Sequence, residues 1–109
     1  MANSNIDQTV NNSGAGFCKM LDGTLIHWGS ISIPRQSGMN TADSNTLSPP
    51  FIEEPTVMGH YSTSAPDAFV GSVVYLASGK LRGYLYNGTS SDYSTNGMIH
   101  YLAIGRWKN

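Results

Sequence analysis

Residues Gly23 to Ile33 read GTLIHWGSISI, and this stretch decides the fold class. β-Branched and aromatic residues dominate it, and Asp22-Gly23 ahead of it is a turn signal. It therefore reads as a strand entered through a tight hairpin. A strand with one buried face alternates apolar and polar residues. This one carries Leu25, Ile31 and Ile33 on one face and Ile26 and Trp28 on the other. Both faces need cover, and one small sandwich supplies only one core.

The same doubling recurs twice. Phe69, Val73 and Tyr75 oppose Val70, Val74 and Leu76, and Met98, Leu102 and Ile104 oppose Ile99, Tyr101, Ala103 and Trp107. Three long strands apolar on both sides predict a homo-oligomer whose outer faces meet; a loop crossing the outer face is the alternative. Gly29, Gly59, Gly71 and Gly105 fall inside strands, where glycine marks a bulge or the close approach of another strand or subunit.

No window holds apolar residues at helical spacing, so the chain reads as all-β. Short runs at 17–21, 23–33, 56–62, 68–76, 80–86 and 98–107 predict a small antiparallel sandwich of about six strands. Pro34 is expected to end the second strand, and Ser64-Ala65-Pro66-Asp67 and Ala77-Ser78-Gly79 to make turns. Residues 1–14 are polar and Asn-rich, an extended or frayed arm, with the folded domain at 15–109. Residues 34–50 read as a long connection without periodicity, and 87–97 as a second loop. A connection as long as 34–50 inside a compact domain is usually a binding loop or disordered, rarely a plain connector.

Composition excludes several classes. Seven acidic and six basic residues leave no basic cluster for nucleic acid or an anionic membrane. No apolar run is long enough to span a bilayer, and the N-terminus lacks a secretory pattern. Cys18 is the only cysteine, so no intrachain disulfide forms, and it lacks a nucleophile signature. Glu53 and Glu54 are adjacent and point to opposite faces as strand neighbours, so they form no acid/base dyad. The chain is expected to be no enzyme and to need no cofactor.

His27, His60 and His100 sit mid-strand among apolar neighbours. Without a His-x-His or His-x3-His pair they read as satisfied strand or interface histidines; copies gathered on an oligomer axis as ion ligands are the alternative. Asn87-Gly88-Thr89 matches a glycosylation sequon but is better explained as turn chemistry.

The binding candidates lie in the two loops. Tyr84, Tyr86 and Tyr93 supply aromatic faces, and Asn87, Asp92 and Asn96 supply partners for hydroxyl groups. A solvated loop with its tyrosines packed on the sandwich edge is the competing reading. Arg35, Asn40, Asp43 and Asn45 make a second candidate surface. Trp107 reads as an edge-capping core residue.

The segment GFCKMLDGTLIHWG resembles the opening of the C-terminal tip domains of phage tail fibres, through Gly16, Phe17, Lys19, Asp22, Gly23, Ile26, Trp28 and Gly29. FIEEPTVMG and the closing YLAIGRWK are similar to that family's middle and end, so the resemblance covers about residues 16–108. It implies likeness to H-type lectins: a sandwich assembled as a homotrimer that binds a host-cell surface glycan or other receptor through apical loops. It also implies a place on an extracellular particle, made in bacterial cytoplasm, with 1–14 as the shaft junction. H-type lectins hold the sugar with an Arg on a central strand. The matching VGSVVYL has none, so that chemistry does not carry over.

Overall fold

The computed structural model describes residues 6–12, 14–62 and 69–109. Among them eight strands form: β1 (Ile6–Asn12), β2 (Ala15–Met20), β3 (Thr24–Arg35), β4 (Gly38–Asp43), β5 (Thr56–Tyr61), β6 (Phe69–Tyr75), β7 (Leu81–Asn87) and β8 (Tyr93–Arg106). They make two sheets, β1-β2-β3-β8-β5 and β4-β7-β6, antiparallel throughout.

The all-β architecture matches the reading of the sequence, with two more strands than the expected six. Residues 6–12 of the expected arm are extended and form the edge strand of the larger sheet, paired with β2 from Asn12↔Ala15 to Ile6↔Met20 with a register shift between Ile6 and Gln8. Alternating polar residues hid it, because an edge strand with one wet face needs no apolar stripe. The 34–50 connection contains β4, whose GMNTAD sequence likewise lacks an apolar pattern and is held by β7 alone. β3 runs through Pro34 to Arg35, with the ladder shifting register between Ile33 and Arg35 to accommodate it. The expected turn at Ser64–Asp67 lies outside the described residues.

The opening stretch now has an answer for one face. Leu25, Ile31 and Ile33 enter the space between the sheets, with Ile99 and Ala103 of β8 opposite Leu81 and Leu85 of β7. Leu25, Ile33, Leu81, Leu85 and Ile99 are wholly buried. Leu47 and Phe51, from the β4–β5 connection, close one end of the core and Phe69 the other.

The interior glycines make room within the chain. A Cβ at Gly71 would sit 2.9 Å from Tyr61 Cβ, and at Gly105 2.7 Å from the Phe51 ring. Those contacts account for them without a neighbouring subunit. Trp107 caps the sheet end as expected: its indole N–H donates to Met20 O at 2.7 Å, and Lys19 and Lys108 lie over its ring.

His27 is a core histidine. It lies between Phe17 and Phe51, with ring centroids 5.6 and 5.4 Å away, and its Nε2 is 2.8 Å from Pro49 O. A neutral ring with its proton on Nε2 satisfies that carbonyl. Burial pushes its pKa below the ordinary 6.5, partly offset by the Pro49 bond. The unfolded chain therefore binds a proton that the folded chain refuses. This penalty is absent above pH 6.5 and grows as the pH falls through that value. Thermal melts should show Tm falling below that pH, and His27→Gln should lack that portion of the fall.

Candidate functional site

Two sheet-to-sheet connections meet at one end of the sandwich. β3 leaves the larger sheet at Arg35 and re-enters the smaller one at Gly38; β7 leaves at Asn87 and the chain returns at Tyr93. Ser37 N–H donates to Asp92 Oδ1 at 2.8 Å, and Ser37 Oγ to Thr89 O at 2.5 Å. Arg35 Nε donates to Thr95 O at 2.8 Å, and its guanidinium also bonds the Thr95 hydroxyl. The two candidate surfaces read separately from sequence are thus one apex over part of their length.

Each sequence candidate has a definite place. Tyr93 is exposed, packs at a tilt on Phe69 at 5.7 Å between centroids, and carries the Arg35 guanidinium 5.0 Å from its ring centre. Asp92 is exposed beside it and holds the Ser37 amide. Tyr86 stands on the outer face of the smaller sheet, in one cross-strand row with Met39 and Val70. All three are exposed, making an apolar strip directly below the apex. Tyr84 lies in the next row with Thr41 and Ser72.

The others turn to different work. Asn87 is 1% exposed and builds the loop. Its Nδ2 donates to Arg35 O and Ser91 O at 3.2 and 2.9 Å, and its Oδ1 accepts from Thr89 N–H and Oγ1–H at 2.9 and 2.7 Å. The bond to the amide two residues on is an Asx turn, and the buried amide explains the sequon as turn chemistry. Asn40, also buried, pins the preceding turn through Gln36 and Leu85 O. Asn96 bonds Ser32 Oγ at 3.0 Å on the outer face of the larger sheet. Asp43 lies at the opposite end of β4, paired to Arg82 at 2.7 and 3.2 Å, and that guanidinium lowers its carboxyl pKa.

Reasoning from sequence missed Gln36, Ser37, Thr89 and Thr95 at the apex, and Met39 and Val70 beside Tyr86. The Ser37-Gly38 pair was an available turn signal, and Gly38 has φ 92°. The strip was not legible, because its three residues meet only through strand register.

On the larger sheet's outer face the central rows are Thr56–Ile104–Ile26–Cys18–Thr9, Met58–Leu102–Trp28–Gly16–Asn11 and His60–His100–Ser30, flanked by Thr24–Arg106 and Ser32–Met98. The three central rows carry no carboxylate, ammonium or guanidinium group; Arg106 stands at the end of the face. His60 and His100 are cross-strand neighbours. Among the described residues no three His, Cys, Asp or Glu side chains gather as metal ligands.

No family model and no curated protein matches the sequence. Solved structures do match. A P. aeruginosa R1 pyocin fibre comprising its C-terminal residues 323–701 superimposes over 90% of this chain, with TM-score 0.67 and 15% identity. The chain shares the fold of part of that fibre. An N-truncated R1-type pyocin tail fibre gives TM-score 0.68 at 15% identity over 90% of the chain and 84% of its own length. An N-truncated R2-type pyocin tail fibre gives 0.58 at 17% over 91% of the chain and 37% of its own. The chain spans 27% of the first of these structures. At such identities the likeness is one of fold.

Proposed function

We propose that this chain is the receptor-binding tip of a tail fibre or related tail-like particle, working as a homotrimer outside the cell that made it. It attaches without covalent chemistry to a host-cell surface glycan or other receptor, and the β1–β2 hairpin lies toward the shaft. The observation that carries this reading is the convergence of the 35–38 and 88–95 segments into one apex. There the Arg35–Tyr93 stack and the Met39–Tyr86–Val70 strip border exposed Gln36, Ser37, Ser91 and Asp92. An aromatic face beside hydroxyl, amide and carboxylate groups suits a sugar ring, with an apolar face and a rim of hydroxyls. Single-site affinity would be weak and multiplied by copies on one particle.

The uncharged central rows of the larger sheet's outer face support trimer assembly and also favour a second reading, a structural trimerisation or capping module. Binding to cells or to a glycan array separates the two. Tyr93→Ala removes a rigid aromatic anchor, a change that costs about 2 kcal/mol where such a residue sits centrally. Binding should fall more than tenfold, with a smaller fall for Asp92→Ala and none for Asp43→Ala at the far end. Unchanged binding by both apical variants would move recognition elsewhere and favour the structural module.

A further inference from the structure

A groove of about 350 Å³ opens on the flank of the sandwich, beside the β1–β2 hairpin and halfway along β3. It shares no residue with the apex. One wall is the inner face of the larger sheet, with Val10, Phe17, His27 and Tyr101; the other is the 44–48 segment that follows β4. That segment is held in place at several points. Ser44 N–H donates to Leu81 O at 2.8 Å, Leu47 N–H to Gly79 O at 2.9 Å, and the Leu47 side chain is buried in the core. His27 holds the following Pro49 carbonyl. Burying Leu47 leaves Asn45, Thr46 and Ser48 exposed around it.

Tyr101 packs its ring against the core and offers its hydroxyl to the groove. Its ring lies against Gly29, where an added Cβ would fall 2.6 Å from the hydroxyl. The phenol is half-buried, its pKa is raised by burial, and its hydroxyl has no hydrogen-bond partner among the described residues. The hydroxyl keeps access to solvent, since no buried side-chain oxygen among the described residues lacks a partner, so it is open to a ligand entering the groove. No Asp, Glu, Lys or Arg lines the groove, and His27 is neutral there. An ionic ligand would find no counter-charge. A purely apolar one would leave the Tyr101 hydroxyl and the polar side chains of the 44–48 wall unsatisfied.

We infer that this groove is a second binding site, for a neutral, monosaccharide-sized polyol that sets one apolar ring face against Phe17 or Tyr101 and bonds the Tyr101 hydroxyl. Its volume stands at the small end of ligand sites, which begin near about 300 Å³. The fixed 44–48 wall means that little ordering accompanies binding.

The test is a titration of the ¹⁵N-labelled chain with methyl glycosides of glucose, galactose and mannose, N-acetylglucosamine, and sialic acid as the charged comparison. At least one neutral sugar should shift the amides of Gly29, Ser30, Asn45 and Thr46 in a saturable way, with sialic acid ineffective. Tyr101→Phe keeps the ring against Gly29 and should weaken that binding about tenfold, as loss of one buried hydrogen bond does. Tyr93→Ala should leave it unchanged, so this groove and the apical reading succeed or fail separately. No saturable shift from any neutral sugar overturns the inference. So does binding that Tyr101→Phe leaves intact in a chain whose spectrum is otherwise native.

Discussion

Leu102→Asp should convert the proposed trimer into single chains of 11.7 kDa in light scattering. Leu102 is the middle of the Met58–Leu102–Trp28 row, on the centre of the outer face of the larger sheet. Within one chain the substitution is mild, since the side chain is only half-buried and stands on the outer face, away from the core. At a seam between subunits it is severe. Each carboxylate would leave water among central rows that offer no cation, and an unpaired buried charge costs several kcal/mol. Three seams carry that penalty together, so dissociation should be complete at micromolar concentration while circular dichroism stays native. Val70→Asp on the smaller sheet is the control and should leave the mass unchanged. The opposite pattern would place the seam on the smaller sheet, and a wild-type monomer would overturn trimer assembly altogether.

Asn87→Ala should be the most damaging single change at the apex. Four hydrogen bonds radiate from this buried amide, to Arg35 O, Ser91 O and the Thr89 amide and hydroxyl, and alanine makes none of them. Each buried polar group left unpaired costs about 1–3 kcal/mol, so a total near 3 kcal/mol is expected. For a domain of this size that corresponds to a fall in Tm of roughly 10 °C. Amide exchange should quicken at Thr89 and Ser91 well before the core opens. Asn87→Asp should also destabilise, because it keeps the acceptor for Thr89 while losing the donor to Arg35 O and burying a charge. A melt within a degree of wild type would mean that strand pairing alone shapes the loop.

Much of this molecule was legible in the chain, and the exceptions share one cause. The hairpin at Asp22-Gly23 could be read because turn chemistry is local: Gly23 has φ 101°, its N–H donates to Met20 O, and Asp22 accepts from Thr24 N–H. The strands β5, β6 and β7 could be read because their residues carry strand propensity themselves. β1 and β4 could not, because IDQTVNN and GMNTAD become strands only through a partner's backbone. The candidate site divides likewise. Tyr86, Asp92 and Tyr93 were found by residue type and stand exposed at or beside the apex. Asn87 has the same polar character, yet faces inward, and burial is not written in a residue's type.

What the sequence determined alone is the all-β class, the two-sided strands, and the local turns, since each depends on neighbours within a few positions. Only the tertiary structure decided that Leu25, Ile31 and Ile33 are core while Ile26 and Trp28 look outward. It alone brought Arg35 to Tyr93, and Ser37 to Asp92, across more than fifty residues of chain. Those placements follow from which sheet each strand joins, a choice made by long-range pairing and burial that no short window of sequence contains.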